Sequence, residues 1–245
     1  MLNGFKGILY REFSVYKKKA RKQILASSIS PLLYLVAFGY GFGSAVEVGG
    51  LPYITFLIPG LVAMASLNQS FSIAQELNIT RFYFHIFDIY LTAPVPPVQI
   101  VMGEAVYGMF KGFLSATIIF LLAFIFGVKL IISPLFFIAI IIHTLIFTTL
   151  GITVAMLVRD HGDQATVNNF IITPMIFLCG TFFPIDRLPV FMKWFVHILP
   201  LTYSSKVIRA SLTGGEVNLY YLMIMCGFAI VFFITALMAV KRVEG

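Results

Sequence analysis

Charged residues are what this sequence has least of. Asp, Glu, Lys and Arg make up 11% of the 245 residues, whereas hydrophobic residues make up 60%. A soluble domain of this length is about a quarter charged, because its surface has to face water. The deficit excludes a soluble globular domain, and a lipid bilayer is the solvent that suits this composition. We therefore predict an all-α integral membrane protein with a single domain over residues 1–245.

Cysteine and the motifs of catalysis are also scarce. The chain has 2 cysteines, and Cys179 and Cys226 both lie in apolar runs, which indicates small buried side chains and not a disulfide or a metal site. The patterns G-x-S-x-G, H-E-x-x-H and Walker A do not occur; residues 103–108 have the glycine spacing of a P-loop but lack the Lys-Ser/Thr that follows it. We predict no catalytic residue, cofactor or metal on this chain. Energy for uphill transport would come from a separate partner, or from an ion gradient, for which charged relays are few.

What the sequence does have is a series of long apolar segments. A helix that crosses the hydrocarbon core needs about 20 mostly apolar residues. Small residues within these segments permit close helix approach; they are Gly39, Gly43, Gly108 and Gly112. The six predicted spans are residues 23–43, 53–77, 101–127, 134–158, 166–183 and 218–240.

The basic residues predict how these spans are oriented. With the N-terminus inside, eleven Lys and Arg lie on the cytoplasmic side and five on the outer side, and Lys111 lies within a span. An excess of basic residues marks the cytoplasmic side, so both termini are predicted to be cytoplasmic. The net charge of +7 owes much to residues 6–22, which indicates a flank apposed to the membrane and no nucleic-acid partner.

Two segments outside the spans carry apolar surface. In residues 3–20 apolar side chains recur at helical spacing among lysines, which predicts an interfacial helix along the membrane, as a topology anchor, a docking surface or both. Residues 82–90 form an aromatic segment in the longest cytoplasmic connector, and the prolines of APVPP stop it. An apolar patch that faces the cytoplasm favours a partner-docking helix; simple packing at the membrane interface is the alternative.

Several polar residues fall inside predicted spans. Glu104 and Lys111 are seven residues apart and share one helix face; Lys111 lies roughly 10 Å deeper and can extend toward the cytoplasmic end, so we favour a structural role. His143 has no carboxylate on its span and is predicted to be a neutral packing residue. Amides and hydroxyls are costly in lipid unless they face protein or water, so they either line a polar route or pin helices together. These residues are Asn68, Gln69, Asn168, Asn169 and Thr173.

The order of these features resembles a known family. A basic N-terminal segment precedes SISPLLYLVAFGYGFG, the second span carries YITFLIPGLVAMASL, and the aromatic loop leads into LTAPVPPVQIVMGE. The chain closes with CGTFFPIDRLPVFMKWFVHILPLTYSSKVIRASLTGG, whose most specific part is G-T-F-F-P-I-D-R-L-P, then I-L-P-L-T-Y and an Arg. Over essentially its whole length the chain resembles the permease subunit of ABC type-2 exporters, a group that includes drug-resistance and nodulation-factor exporters.

The resemblance implies partners and residue roles. It implies two permease copies bound to two cytoplasmic ATPase subunits, which hold the ATP and Mg²⁺ and carry out the hydrolysis. Residues 3–20 would be a connecting helix and residues 82–90 a coupling helix seated in the ATPase, while the second and fifth spans would face the dimer axis. The implied coupling residues are Arg81, Phe82, Phe84, His85, Phe87 and Asp88, and the implied substrate-path residues are Asn68, Asn168, Asn169 and Thr173.

The stretch between the fifth and sixth predicted spans is interpreted as an outer gate. Residues 188–199 are too few to cross a core of ~30 Å. We predict two short re-entrant helices within residues 184–213, the second over 202–213, which dip into the outer leaflet and return. Basic residues here can lie beside outer-leaflet phosphates without setting the topology. The predicted gate residues are Phe183, Pro184, Asp186, Arg187 and Trp194.

These features predict a permease subunit in a prokaryotic inner membrane that exports an amphipathic or lipid-linked compound by alternating access. Polysaccharide exporters usually begin their first span with a Ser-x-Leu-Gly-x-x-Trp-like run, and here the segment reads KKKARKQILASSISP, which favours a smaller molecule such as a drug, a lipid or a lipo-oligosaccharide. The alternative function is a non-transporting membrane scaffold that recruits a cytoplasmic ATPase. A secondary transporter fits less well, because inverted repeats and midplane charges are not apparent.

Overall fold

The computed structural model describes residues 3–42, 46–84, 86, 89 and 95–244. Within these residues the secondary structure is helical apart from one hairpin in the predicted connector 44–52. Its strands, β1 (Glu47–Val48) and β2 (Leu51–Pro52), pair antiparallel. Gly49 and Gly50 form the turn with φ angles of 61° and 77°, a conformation that glycine adopts without the steric cost that a Cβ imposes.

Long helices make up the first two thirds of the chain. The first continues beyond its α-helical part as a π-helical segment, Leu35–Phe42. The second and third are separated only by the turn at Ser72. In chain order these helices are α1 (Asn3–Tyr34), α2 (Tyr53–Phe71), α3 (Ile73–Phe82), α4 (Pro97–Ile125) and α5 (Pro134–Leu157).

The last third of the chain has several short helices before one long one. A π-helical segment, Asn168–Ile172, joins the first two short helices, and a 3₁₀ turn, Ile185–Arg187, precedes the next pair. The helices are α6 (His161–Val167), α7 (Thr173–Leu178), α8 (Val190–His197), α9 (Pro200–Thr213) and α10 (Leu219–Glu244).

Five helical stretches are long and apolar enough to cross a membrane. Each matches one of the predicted spans, so the prediction of an all-α membrane protein is confirmed at this level. The stretches are Asn3–Gly39, Tyr53–Phe82, Pro97–Ile125, Pro134–Leu157 and Leu219–Val243. Their orientation, with both termini cytoplasmic, stays a prediction.

The predicted fifth span, residues 166–183, differs from the other five. It falls on α6, the π-helical segment and α7, which together end at Leu178. Pro174 explains the irregularity, because it has no N–H to donate to the carbonyl of Phe170 and its ring crowds that turn; the π-helical turn lies directly before it. The count of six spans therefore stays a prediction.

The N-terminal helix is longer than the sequence predicts. Residues 3–20 and the predicted first span were expected as separate helices, but α1 runs through both without a break. The boundary KKKARKQ consists of residues with good helix propensity and contains no glycine or proline, so nothing local ends the helix there. Whether residues 3–20 lie along the membrane stays a prediction.

Close packing at α4 organises the core. α4 packs against α1, α2 and α5, and α5 packs against α10. A Cβ at Gly108 would collide with the Thr148 side chain, and one at Gly112 would lie 2.7 Å from Thr144 Cγ2 and 3.0 Å from the carbonyl oxygen of Ser66. Two of the glycines predicted to permit close helix approach therefore do so; Gly43 lies outside the described residues.

The outer stretch contains two short helices where the sequence predicts two. α8 and α9 meet at residues 198–199, and Gly214 ends α9 in the left-handed conformation, with φ of 75°. One face of α9 is buried against α2, α5 and α10, whereas α8 exposes most of its apolar side chains. That these helices re-enter the membrane stays a prediction.

Candidate functional site

Three of the four predicted substrate-path residues line one cavity. Asn68 comes from α2, Asn168 from the π-helical segment, and Thr173 from α7. The cavity has a volume of about 220 Å³ and is completed by Phe71, Ser72, Gln75, Gln164, Ile172 and Ile176. Asn169 is exposed and does not line this cavity, so its role in the path stays a prediction.

A second cavity adjoins the first and shares Asn68, Thr173 and Ile176 with it. Its volume is about 350 Å³. It lies between α1, α2 and α7, so the N-terminal helix supplies one wall. Its remaining lining residues are Ala26, Ser27, Ser30, Pro31, Tyr34, Met64, Ala65, Gln69 and Phe177. We refer to these two adjoining spaces together as the double cavity.

The buried acceptor at the edge of the double cavity is Gln164. Its side chain is buried, its Nε2 donates to Asn168 Oδ1 at 3.5 Å, and its Oε1 has no hydrogen-bond donor among the described residues. A buried amide oxygen without a donor costs free energy. This oxygen has almost no accessible surface, so a molecule in the double cavity reaches it only if neighbouring side chains move.

A cluster of charged residues is buried where α4 meets the start of α3. The Lys111 ammonium forms an ion pair with Glu76 Oε1 at 2.9 Å, and Lys111 Nζ donates to Ser72 Oγ at 2.7 Å. The Lys111 side chain is 1% exposed and that of Glu76 is 31% exposed. Gln23 of α1 also donates to Glu76, at 3.3 Å. Lys111 thus joins α4 to the start of α3, in line with the structural role favoured from the sequence.

Glu104 is the other intramembrane charge that the sequence singles out. It is 1% exposed, and neither carboxylate oxygen has a hydrogen-bond partner among the described residues. Glu104 shares a helix face with Lys111 as predicted, but Lys111 pairs with Glu76. The sequence missed Glu76 because an ion pair between helices depends on tertiary packing; the one available signal was an acidic residue at the end of the predicted second span.

His143 occupies a closed position between α5 and α2. It is fully buried, and its Nε2 lies 3.1 Å from the carbonyl oxygen of Ala63. A carbonyl can only accept, so Nε2 carries the hydrogen. The Phe147 ring packs edge-on at 4.8 Å between centroids. This geometry agrees with a neutral packing residue, as the sequence predicts.

The predicted coupling residues lie at and beyond the C-terminus of α3. Arg81 donates to the carbonyl oxygens of Ala155 at 3.2 Å and Met156 at 3.0 Å, so it caps the end of α5. Phe82 is half-buried, whereas Phe84 is 66% exposed. His85, Phe87 and Asp88 lie outside the described residues. The described part of this segment therefore has one anchored residue, Arg81, and two exposed aromatic rings, Tyr83 and Phe84.

The predicted gate residues follow, along the chain, a packed aromatic cluster around Phe182. Phe183 and Pro184 are half-buried, Asp186 and Arg187 are exposed, and Trp194 of α8 is 74% exposed. The buried neighbour Phe182 packs against Tyr34, Phe38 and Phe177.

Arg209 of α9 joins three elements at the predicted outer end. Its Nη2 donates to the carbonyl oxygen of Gly180 at 2.6 Å, and its guanidinium lies 3.9 Å from the centroid of the Phe56 ring. The sequence noted an Arg after I-L-P-L-T-Y but gave it no partner. Arg209 connects α9 to α2 and to the end of the predicted fifth span.

Long apolar helical stretches with polar cavities between them indicate a multi-pass membrane protein. Within residues 3–42, 46–84, 86, 89 and 95–244, no group of three or more His, Cys, Asp or Glu could hold a metal ion.

Comparison with known proteins identifies the family. The sequence profile of the family described as ABC-2 type transporter matches residues 3–213. The chain therefore belongs to the ABC-2 type transporter family and is a transport permease. The resemblance stated from the sequence motifs is confirmed.

Individual relatives match along most of their length. Nodulation protein J of Rhizobium meliloti (strain 1021) is 30% identical over 238 residues, which cover 95% of this chain and 91% of that protein. Nodulation protein J of Sinorhizobium fredii (strain NBRC 101917 / NGR234) is 29% identical over 238 residues, covering 95% and 90%. The Inner membrane transport permease YadH of Escherichia coli (strain K12) is 24% identical over 213 residues, covering 85% and 82%.

Proposed function

We propose that this chain is the permease subunit of an ATP-driven exporter that moves an amphipathic or lipid-linked compound out of the cytoplasm or the inner leaflet. Two copies of the permease act with two copies of a cytoplasmic ATPase in the inner membrane. ATP and Mg²⁺ are held by the ATPase, and this chain holds no cofactor. The partners are proteins and membrane lipids, with no nucleic acid.

The observation that carries this proposal is the double cavity within membrane helices. Asn68 and Thr173 are exposed on the surface of a single chain, yet each belongs to a helix among apolar neighbours. An amide or hydroxyl in contact with lipid is unfavourable, so these side chains need water or a second protein copy opposite them. A polar route along an axis between two permease copies supplies both water and a second protein copy opposite these side chains. The route includes Asn68, Asn168 and Thr173.

The coupling surface lies at the end of the same helical pair. α2 carries Asn68, and α3, which follows after Ser72, ends in the segment with Phe84. A displacement of Phe84 by the ATPase is therefore transmitted to the cavity through about three helical turns. Arg81 ties this segment to the end of α5. Coupling requires the ATPase to bind the inward-open and outward-open states unequally.

A matched pair of aromatic substitutions tests the coupling assignment. Phe84→Ala removes an exposed ring just beyond the end of α3, and Phe124→Ala removes a ring at the end of α4 that is even more exposed, at 84%. In liposomes that contain the permease and its ATPase, we expect Phe84→Ala to lower ATP-dependent export of a short-chain phospholipid analogue about tenfold, or ~1.4 kcal/mol of coupling free energy. Phe124→Ala should export at the wild-type rate.

The same experiment separates an exporter from a scaffold. A scaffold would retain the ATPase on the membrane without moving any amphiphile, so lipid export would be absent from the wild-type liposomes as well. Normal export by Phe84→Ala, with normal stimulation of the ATPase, would show that this ring does not transmit the motion.

A further inference from the structure

Glu104 of α4 is a buried carboxyl group that the proposed transport cycle does not use. It is 1% exposed, and neither of its oxygens has a hydrogen-bond partner among the described residues. The adjacent turn of α4 is closed by α1, since a Cβ at Gly103 would lie 2.8 Å from Ile8 Cγ2. Val101 and Ala105 belong to the same buried apolar cluster as Ile8. A carboxylate here would lose its hydration without gaining a hydrogen bond.

The charged groups near Glu104 are already paired with one another. Those whose charges act on it are Arg11 and Glu12 of α1, Glu76 of α3 and Lys111 of α4. Arg11 forms an ion pair with Glu12 at 2.9 Å, and Lys111 forms one with Glu76 at 2.9 Å. Each of the two cations therefore has a carboxylate of its own, and an ionised Glu104 would be a third carboxylate beside two cations.

The other helices that pack against α4 add no counter-charge. Neither α2 nor α5 contains Asp, Glu, Lys or Arg, and the basic side chains of α10, Lys241 and Arg242, are exposed. Tyr16 and Tyr107 also lie in this region, but a phenol is ordinarily uncharged near neutral pH. A buried carboxyl group without a counter-charge or a donor is accommodated when it is neutral.

We propose that Glu104 is a proton-binding site at the contact between α1 and α4. While α1 lies against α4, the carboxyl group is neutral and the two neighbouring ion pairs balance their own charges. When α1 moves away from α4, water enters, the O–H bond breaks, the proton passes to water and the hydrated carboxylate remains. A high proton concentration therefore stabilises the packing of α1 on α4, and a low one weakens it. The proton site does not depend on the proposed export function.

Infrared spectroscopy of the full-length permease in lipid nanodiscs tests the protonation directly. A protonated carboxyl group has a C=O stretching band that a carboxylate lacks. Near neutral pH, we expect the wild-type spectrum to lose this band in Glu104→Gln. Glu216→Gln is the matched control, because Glu216 is exposed and its removal should leave the band unchanged. A Glu104→Gln spectrum that keeps the whole band overturns the proposal.

The pH dependence of unfolding provides a second test. An exposed carboxyl group of the unfolded chain is ionised near neutral pH, so unfolding would release the proton of Glu104 and become more favourable as the pH rises. Between about pH 6 and pH 9, we expect the unfolding equilibrium constant of the wild type to rise relative to that of Glu104→Gln by up to about tenfold per pH unit. Glu216→Gln should follow the wild type. Parallel curves for the wild type and Glu104→Gln contradict the proposal.

The folding of Glu104→Gln is informative as well. Glutamine replaces one neutral group by another of the same size, so this variant should unfold at the wild-type temperature or above it near neutral pH. A variant that unfolds far below the wild type would mean that the site needs the carboxylate, which overturns the proposal. None of these measurements involves export or the ATPase. Their failure leaves the proposed function standing, and a permease that exports nothing can still bind this proton.

Discussion

Two polar regions of this molecule adjoin each other at Ser72 and differ in chemistry. One is a closed charged cluster, in which Lys111 is buried and paired with Glu76 while Glu104 is buried nearby on the same helix. The other is the double cavity, which is open and lined by neutral amides and hydroxyls. Ser72 belongs to both, since its hydroxyl accepts from Lys111 and its residue lines the cavity.

The difference indicates a division of tasks. Buried charges are costly unless they are paired, so they hold helices in one arrangement and leave little freedom. Neutral polar groups are far less costly to leave exposed to water or to a passing ligand. In this permease the Lys111–Glu76 ion pair joins two helices, whereas the neutral groups line an open space. Substitutions in the two regions should therefore affect stability very differently.

The largest expected effect comes from Glu76→Gln in the charged cluster. This change leaves the Lys111 ammonium, with a side chain 1% exposed, without its counter-charge. We expect the free energy of unfolding to fall by about 3 kcal/mol, because removal of one partner from a buried ion pair leaves an uncompensated charge. Thermal unfolding of the purified permease in one fixed detergent measures the loss.

Substitution of the other partner in the ion pair, Lys111, is the control for Glu76→Gln. Lys111→Met leaves Glu76, whose side chain is 31% exposed and can be hydrated, so the loss should be smaller than for Glu76→Gln. The double variant should recover most of the stability. If Lys111→Met proved more destabilising than Glu76→Gln, hydration of Glu76 would not be what limits the loss of stability in Lys111→Met.

A smaller loss of stability is expected from Gly112→Ala, which tests how tightly α4 packs against α2 and α5 next to Lys111. The new Cβ would lie 3.0 Å from the Ser66 carbonyl oxygen and 2.7 Å from Thr144 Cγ2, so α4 would have to move away from α2 and α5. We expect a cost of about 1–3 kcal/mol in the same unfolding measurement.

Gly227→Ala is the matched control for the glycine in α4. Gly227 lies within α10, and a Cβ there has no atom within 4 Å. Alanine has the higher helix propensity, so this variant should unfold at the wild-type temperature or above it. Equal losses at the two positions would mean that close packing is not what Gly112 provides.

The smallest effect on stability is expected in the double cavity. Asn68 is exposed, so Asn68→Ala should change the free energy of unfolding by no more than about 0.5 kcal/mol. The same variant should lower ATP-dependent export in the liposome assay, since the amide belongs to both parts of the cavity. A large drop in stability would instead mean that Asn68 is part of the framework.

The elements that were predictable from the sequence are those set by local pattern. Length and apolarity predict the helices α2, α4, α5 and α10, and Pro200 predicts the break between α8 and α9. The unbroken course of α1 was missed, because the change from a basic to an apolar segment suggested a boundary although every residue across it favours a helix.

The features that escaped prediction depend on tertiary contacts. Nothing local associates Lys111 of α4 with Glu76 of α3, or Arg209 of α9 with the carbonyl of Gly180. The gathering of Asn68, Asn168 and Thr173 was expected from the family resemblance and not from spacing. Residue chemistry alone left open whether these amides line a route or pin helices together; their exposure and the shape of the double cavity favour the route.

The outer helix α8 has a practical consequence for spectroscopy. The chain has 1 tryptophan, Trp194, which is 74% exposed on α8. Selectively excited indole emission of the unmodified protein therefore reports on this one helix. Its wavelength and its quenching by brominated lipid tails would measure how deeply α8 sits in the bilayer.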